Sequence, residues 1–132
     1  MSAPIYLYTG PEAGERKDAV EKIKKTLRKD FGDLEEYNFY ASETSVNEFM
    51  SVLQNESLFS SATCVVVKNA EVIKKKEDIE TIVNWVSSVN TQSSVLILTS
   101  DSVSIDTKIE KAVPPQNKKI FWEMFEDRKL SW

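Results

Sequence analysis

At the centre of the chain stands Thr63-Cys64-Val65-Val66-Val67, a continuous apolar run with polar residues on both sides. The run has the length of one β-strand, and it lacks the alternation of apolar and polar residues that marks a half-exposed strand. This pattern is typical of a strand in a parallel sheet that is covered on both faces. We therefore predict that residues 63–67 form a central strand with helices on both sides of it.

Strand and helix patterns alternate along the rest of the chain. Further strands are predicted at residues 5–9, 34–40, 95–99 and 119–125. Apolar residues at helical spacing, with charged residues on the other face of the first helix, predict helices over residues 15–31, 46–53, 79–89 and 106–113. Each parallel return of the chain needs a crossover connection, which a helix supplies. The fold class is thus α/β, with a five-stranded parallel sheet and helices on both faces.

Local signals mark the ends of three of these helices. In the first helix, charged residues that include Lys24 are predicted to fill the exposed face, and Gly32 is predicted to end it. Ser45 and Glu48 have the spacing of a capping box, in which each side chain satisfies a free amide at the helix start. Asp106 is a suitable N-cap for the short fourth helix.

The chain is long enough for one hydrophobic core and too short for two. It has 132 residues, of which 41% are hydrophobic, and we assign one domain to residues 1–126. Residues 127–132 have the pattern of a cap and a first helical turn, so we expect them to begin a following helical domain. No apolar run reaches the roughly 20 residues that span a bilayer, and the start of the chain carries no basic leader. These features predict a soluble, cytoplasmic protein.

The composition removes most catalytic chemistries. Histidine, the commonest general base and a common metal ligand, is absent, and Cys64 is the single cysteine. An internal disulfide and a multi-cysteine zinc site are therefore excluded, and Cys64 itself is predicted to be a buried, inert thiol. The net charge of −4 at pH 7 gives no general attraction to a phosphate backbone or an anionic membrane.

The loop after the first strand is where a nucleotide-binding sheet of this kind would hold phosphate. A P-loop needs a glycine, then four residues of any kind, and then Gly-Lys followed by serine or threonine. Counted from Gly10, these three positions hold Glu15, Arg16 and Lys17. An acidic residue thus stands near the phosphate position, and no hydroxyl is available for magnesium. Gly10 is better interpreted as permitting a tight turn.

The end of the central strand also lacks the residues of a working nucleotide site. P-loop ATPases place acidic residues there to organise magnesium and water, whereas this chain has Lys68 and Asn69. The sequence therefore predicts the outline of a P-loop NTPase with a degenerate nucleotide site. We expect no cofactor, no metal and no catalysis, and a binding or mechanical role becomes the leading interpretation.

Two adjacent large apolar residues, Leu58 and Phe59, lie in the polar stretch before the central strand. Adjacent side chains point in different directions, so a single narrow core contact cannot easily take both. From spacing alone, the favoured interpretation is that the pair staples the helix end to the sheet. An exposed binding element is the alternative.

Four parts of the sequence together resemble the N-terminal domain of the delta subunit of bacterial DNA polymerase III, a component of the clamp loader. They are residues 5–12, residues 57–60 with 65–70, residues 95–98 and residues 129–132. The most specific of them is Ser57-Leu58-Phe59-Ser60, because of its position before the central strand. The resemblance covers essentially the whole chain.

The resemblance implies an AAA+-like domain that has lost ATP binding and that helps to open the sliding clamp during DNA replication. It implies that Leu58 and Phe59 enter a hydrophobic pocket of the clamp, with Gln54 and Ser57 as the other motif residues. The implied partners are the sliding clamp (beta subunit) and the other clamp-loader subunits, with DNA contacted only through the full assembly. Glu56 and the polar run after Phe59 depart from the family's motif.

Two alternatives stay open. The first is a small nucleotide-handling α/β enzyme with an atypical phosphate loop after the first strand. The second is another ATPase-defective clamp-loader subunit, delta prime, against which the single Cys64 argues because a zinc-binding cysteine cluster would favour it. The basic run at residues 74–76 is followed by acidic residues and is interpreted as a solvated loop.

Overall fold

The structure is a computed structural model that describes residues 5–54, 62–88, 94–102 and 105–121. Five strands lie within these residues: β1 (Ile5–Thr9), β2 (Leu34–Tyr40), β3 (Ala62–Lys68), β4 (Ser94–Ser100) and β5 (Lys118–Ile120). The α-helices are α1 (Ala13–Phe31), α2 (Val46–Gln54), α3 (Lys76–Ser88) and α4 (Thr107–Ala112). Short 3-10 turns at Ala70–Val72 and Pro115–Asn117 precede α3 and β5.

The five strands form one parallel sheet in the order β2-β3-β4-β1-β5. β3 lies between β2 and β4 and is buried from Ala62 to Val67, which confirms the prediction of an interior strand covered on both faces. The middle of the sheet belongs to β4, which is buried from Val95 to Ser100. The predicted fold class, α/β with helices on both faces of a five-stranded parallel sheet, is correct.

The unbroken apolar run of β3 serves two separate cores. Cys64 and Val66 pack with Val20 and Leu27 of α1 on one face. Val65 and Val67 belong to a larger core on the other face, where the packed helices are α2, α3 and α4. Because successive strand residues point to opposite faces, a strand between two cores needs apolar residues at every position.

The predicted helix signals are largely confirmed. The Ser45 hydroxyl accepts the N–H of Glu48 at 3.2 Å, and Asp106 accepts the N–H of Lys108 at 2.9 Å. Gly32 follows α1 with a φ of 88°, and its N–H donates to the carbonyl of Arg28 at 2.8 Å.

One surface assignment on α1 is wrong. Lys24, predicted to face solvent, is only 5% exposed. Its ammonium group lies 3.2 Å from Glu36 of β2 and 3.4 Å from Glu21, and Arg28 also pairs with Glu36. The long lysine stem covers apolar surface while its charge meets the carboxylate of the neighbouring edge strand. Helical spacing alone does not reveal such a partner on a different element.

The last strand differs in extent from its prediction at residues 119–125. β5 starts one residue earlier, at Lys118, and ends at Ile120, and residues 122–125 lie outside the described part of the chain. Within residues 5–54, 62–88, 94–102 and 105–121, none of the helices has both the length and the apolar character that crossing a membrane requires.

Candidate functional site

The predicted clamp-binding motif lies where α2 ends and β3 begins. Gln54 is the last residue of α2, whereas Ser57, Leu58 and Phe59 lie outside the described residues. The neighbouring described side chains, Leu53 and Ala62, are both buried. Ala62 is aligned with the first residue of β2, so the motif joins the fold at the amino ends of the strands. The role of this motif in binding the clamp stays a prediction.

The loop after β1 lies at the other end of the strands, on the side of the sheet formed by their carboxyl ends. Gly10 has a φ of 112°, and a Cβ atom there would stand 2.2 Å from the carbonyl oxygen of Phe121. The N–H of Gly10 donates to the carbonyl of Ser100 at 3.0 Å, and the N–H of Glu12 donates to Phe121 at 3.1 Å. The loop is thus packed tightly against backbone, and its amides are used within the protein. Glycine is required here, as the turn interpretation predicted.

A carboxylate occupies the start of α1. The Glu12 side chain accepts the N–H of Gly14 at 3.0 Å and acts as the N-cap of the helix. In a phosphate loop, amides at this position would bind the anion, because a helix N-terminus carries partial positive charge. Sequence reasoning placed the obstructing acid at Glu15, which is exposed, and missed Glu12. The available signal was an acidic residue immediately before the first helical turn.

Arg16 closes the loop from the other side. Its guanidinium donates to the carbonyl oxygens of Gly10 and, at 3.2 Å, of Ser100, and it pairs with Asp101 at 2.6 Å. The Arg16 side chain is 14% exposed and that of Asp101 is 84% exposed. This arginine stands where a P-loop carries its lysine, and it ties the ends of β1 and β4 to α1. This contact could not be predicted from local sequence, because Asp101 is far from Arg16 along the chain.

We expect Arg16→Ala to lower the free energy of unfolding by about 2 kcal/mol, because two carbonyls lose a charged donor in a partly buried place. Asp101→Ala should cost less than about 0.5 kcal/mol, since an exposed ion pair contributes little. Urea unfolding followed by circular dichroism measures both values. Equal losses in the two variants would show that the surface ion pair, and not the bonds to the carbonyls, holds the loop.

The neighbouring strand ends carry structural contacts. Glu71 accepts the hydroxyl of Ser100 at 2.5 Å, and the Thr99 hydroxyl donates to the carbonyl of Val67 at 3.3 Å. These contacts tie the end of β4 to β3 and to the 3-10 turn at Ala70–Val72. In the part of the chain that the structure describes, no group of three or more Cys, Asp or Glu side chains is arranged to hold a metal ion.

Cys64 offers no nucleophile. It is buried in β3, and burial raises the pKa of its thiol to about 11, although Lys24 and Arg28 act in the opposite direction. A thiol that stays protonated at neutral pH is a poor nucleophile. The prediction of a buried thiol is confirmed.

These features define a parallel α/β domain, covered on both faces, whose first strand-to-helix loop is closed by the protein's own groups. The family model for DNA polymerase III, delta subunit, matches residues 6–119, and the chain belongs to that family. A comparison with curated protein sequences gives no match.

Among solved structures, the fold is similar to that of the Bacillus subtilis DNA clamp loader delta protein (YqeN), with a TM-score of 0.66 and 20% sequence identity. The similarity covers 91% of this chain and 38% of that protein. The chain therefore spans well under half the length of this structural relative.

Proposed function

We propose that this chain is the clamp-binding domain of a clamp-loader delta subunit, which helps to open the sliding clamp during DNA replication without hydrolysing ATP. The observation that carries the proposal is the match to the delta-subunit family over residues 6–119. The similarity to the Bacillus clamp-loader protein supports it at the level of the fold. The partners would be the clamp and the other clamp-loader subunits of the polymerase III holoenzyme, in the cytoplasm.

The proposed contact with the clamp consists of Gln54, Ser57, Leu58 and Phe59. Burying a leucine or phenylalanine side chain contributes roughly 1.5–3 kcal/mol each, so the pair could form a small hot spot. Leu53 and Ala62, on either side of the motif, belong to the buried part of the domain. Anchoring on both sides would hold a short binding segment in place and reduce the entropy lost on binding.

Opening of the clamp would follow from a difference in the domain's affinity for two states of the clamp. A ligand shifts a conformational equilibrium only by the difference in its affinity for the two states. The domain would therefore have to bind a clamp strained at one subunit interface more tightly than the closed clamp. No nucleotide bound to this domain is needed for that step, and the energy-coupled steps would belong to partner subunits.

The absence of ATP hydrolysis is supported by the loop after β1. We propose that the domain is AAA+-like with a degenerate nucleotide site, because the groups that would bind a triphosphate have other partners. Glu12 takes the N–H of Gly14, and Arg16 is turned back onto the loop carbonyls. Lys68 and Asn69 replace the acids that would organise magnesium. We also propose that residues 1–126 are this domain and that residues 127–132 begin a helical one.

We expect magnesium to produce no additional thermal stabilisation when it is added to the domain with ATP. A ligand that binds only the folded state at 100 times its dissociation constant stabilises by about 2.7 kcal/mol, which a melting curve resolves easily. The measurement compares ATP with magnesium against ATP with a chelator at equal ionic strength. An increase in melting temperature that requires magnesium, together with release of phosphate, would instead support a small nucleotide-handling enzyme.

The direct test of the proposal is isothermal titration calorimetry of the domain with the sliding clamp from the same organism. Saturable binding in the absence of ATP is the expected result. Absence of binding by the folded domain would contradict the proposed function.

A further inference from the structure

A cleft opens on the α1 face of the sheet, where the strands end. Near the amino ends of the strands, α1 is held against β2 by the contact of Lys24 with Glu36 at 3.2 Å. Towards the carboxyl ends there is a cavity of about 550 Å³, a size typical of small-molecule sites. Its walls include side chains from β2, from α1, and from the last residue of β3 and the residue after it: Asn38, Tyr40, Lys17, Glu21, Lys68 and Asn69.

The charges in the cleft do not balance. Its two carboxylates are already paired, Glu21 with Lys24 at 3.4 Å and Asp101 with Arg16 at 2.6 Å. Lys17 and Lys68, by contrast, have no carboxylate within 4.0 Å among the described residues. Two positive charges therefore remain without an internal counter-charge in one concave site, which favours an anionic ligand.

The exposed lining of the cleft suits an anion rather than a cation. The ammonium group of Lys68 lies 5.4 Å from the centre of the Tyr40 ring, a cation–π contact that restricts where the lysine points. Asn69 has a φ of 63°, a left-handed conformation that asparagine tolerates better than most residues. Asn38 and Asn69 both line the cleft, and each side-chain amide offers N–H donors.

We propose that this cleft binds a phosphate group directly, without a bridging metal ion. Lys17 and Lys68 would supply the charge, and Asn38 and Asn69 would supply neutral donors. The phosphate could be free or part of a nucleic-acid strand, since both present the same oxygens to lysine. The site adjoins the closed loop at Gly10, because Arg16, Ser100 and Asp101 also line the cleft. It lies at the carboxyl ends of the strands, whereas the proposed clamp-binding motif precedes the amino end of β3.

The test is a two-dimensional NMR titration of the isotope-labelled chain without magnesium. The probes are sodium phosphate and a ten-nucleotide single-stranded DNA, each compared with sodium chloride at equal ionic strength. Saturable shifts are expected at the side-chain amides of Asn38 and Asn69. We expect Lys17→Gln and Lys68→Gln each to weaken binding about tenfold, the effect of losing one charged hydrogen bond. Lys25→Gln is the matched control, because Lys25 is an exposed lysine of α1 outside the cleft.

Each outcome decides the proposal. Saturation by phosphate supports a free phosphate or nucleotide as the ligand, and a response to DNA alone supports the phosphate of a strand. No response beyond that of sodium chloride, or weakening by Lys25→Gln equal to that by Lys68→Gln, would overturn the phosphate site. Lys68→Gln should leave affinity for the clamp unchanged, so failure of this proposal is distinguishable from failure of the proposed clamp-binding function.

Discussion

The double variant Leu58→Ala, Phe59→Ala should fold normally and lose at least a hundredfold in affinity for the sliding clamp. The two side chains together are expected to contribute about 3–6 kcal/mol if both enter an apolar pocket, and 1.4 kcal/mol corresponds to a factor of ten. Calorimetric titration with the clamp gives the affinity. Circular dichroism and urea unfolding establish that the variant is folded.

A matched control removes two exposed apolar side chains elsewhere on the domain. Val72 and Ile120 are 45% and 43% exposed, so Val72→Ala with Ile120→Ala lowers surface hydrophobicity without touching the proposed motif. Wild-type affinity is expected for this control. If instead the Leu58 and Phe59 variant binds as well as the wild type, the site assignment is wrong. If it unfolds, the pair staples α2 to the sheet.

The second large effect is expected at Gly10, where alanine should lower the free energy of unfolding by about 3 kcal/mol. Alanine in a backbone conformation with positive φ is strained, and here its Cβ atom would also stand 2.2 Å from the carbonyl oxygen of Phe121. Backbone cannot move aside as a flexible side chain can, so β5 would have to shift away from β1. Urea unfolding monitored by circular dichroism gives the value.

Gly32 supplies the matched control for the variant at Gly10. Its φ is 88°, but a Cβ atom there meets nothing within 4 Å. Gly32→Ala should therefore cost only the backbone strain, about 1 kcal/mol. A loss at Gly10 no larger than that at Gly32 would show that the loop yields readily. The closed loop would then be no obstacle to a triphosphate.

Much of the fold could be read from local pattern. Each strand that packs between two layers is apolar at almost every position, as in β3 and β4, and the helices between strands dictate parallel pairing. Boundaries were less well determined. α1 begins at Ala13, two residues ahead of Glu15, the first residue that the sequence pattern assigned to it, because the Glu12 cap supports a polar first turn. Local hydrophobic periodicity cannot detect a helical turn that buries no apolar side chain.

The sequence suggested one of the candidate sites, and only the structure revealed the contacts that form the other two. The proposed clamp-binding motif lies within six consecutive positions, residues 54–59, so a resemblance in sequence was enough to suggest it. The closed loop and the cationic cleft are not contiguous. They depend on Arg16 meeting Asp101 across α1 and β4, and on Lys68 lying over Tyr40.

The sequence by itself determined which segments become strands and helices, and it excluded histidine and multi-cysteine chemistry through composition. It also showed that the residues of a working phosphate loop are missing. Only the tertiary structure decided that Arg16 closes that loop and that Lys17 and Lys68 share one cleft. Segment type follows from the spacing of neighbouring residues, whereas these contacts join residues that become neighbours only after the sheet has fixed its strand order and register.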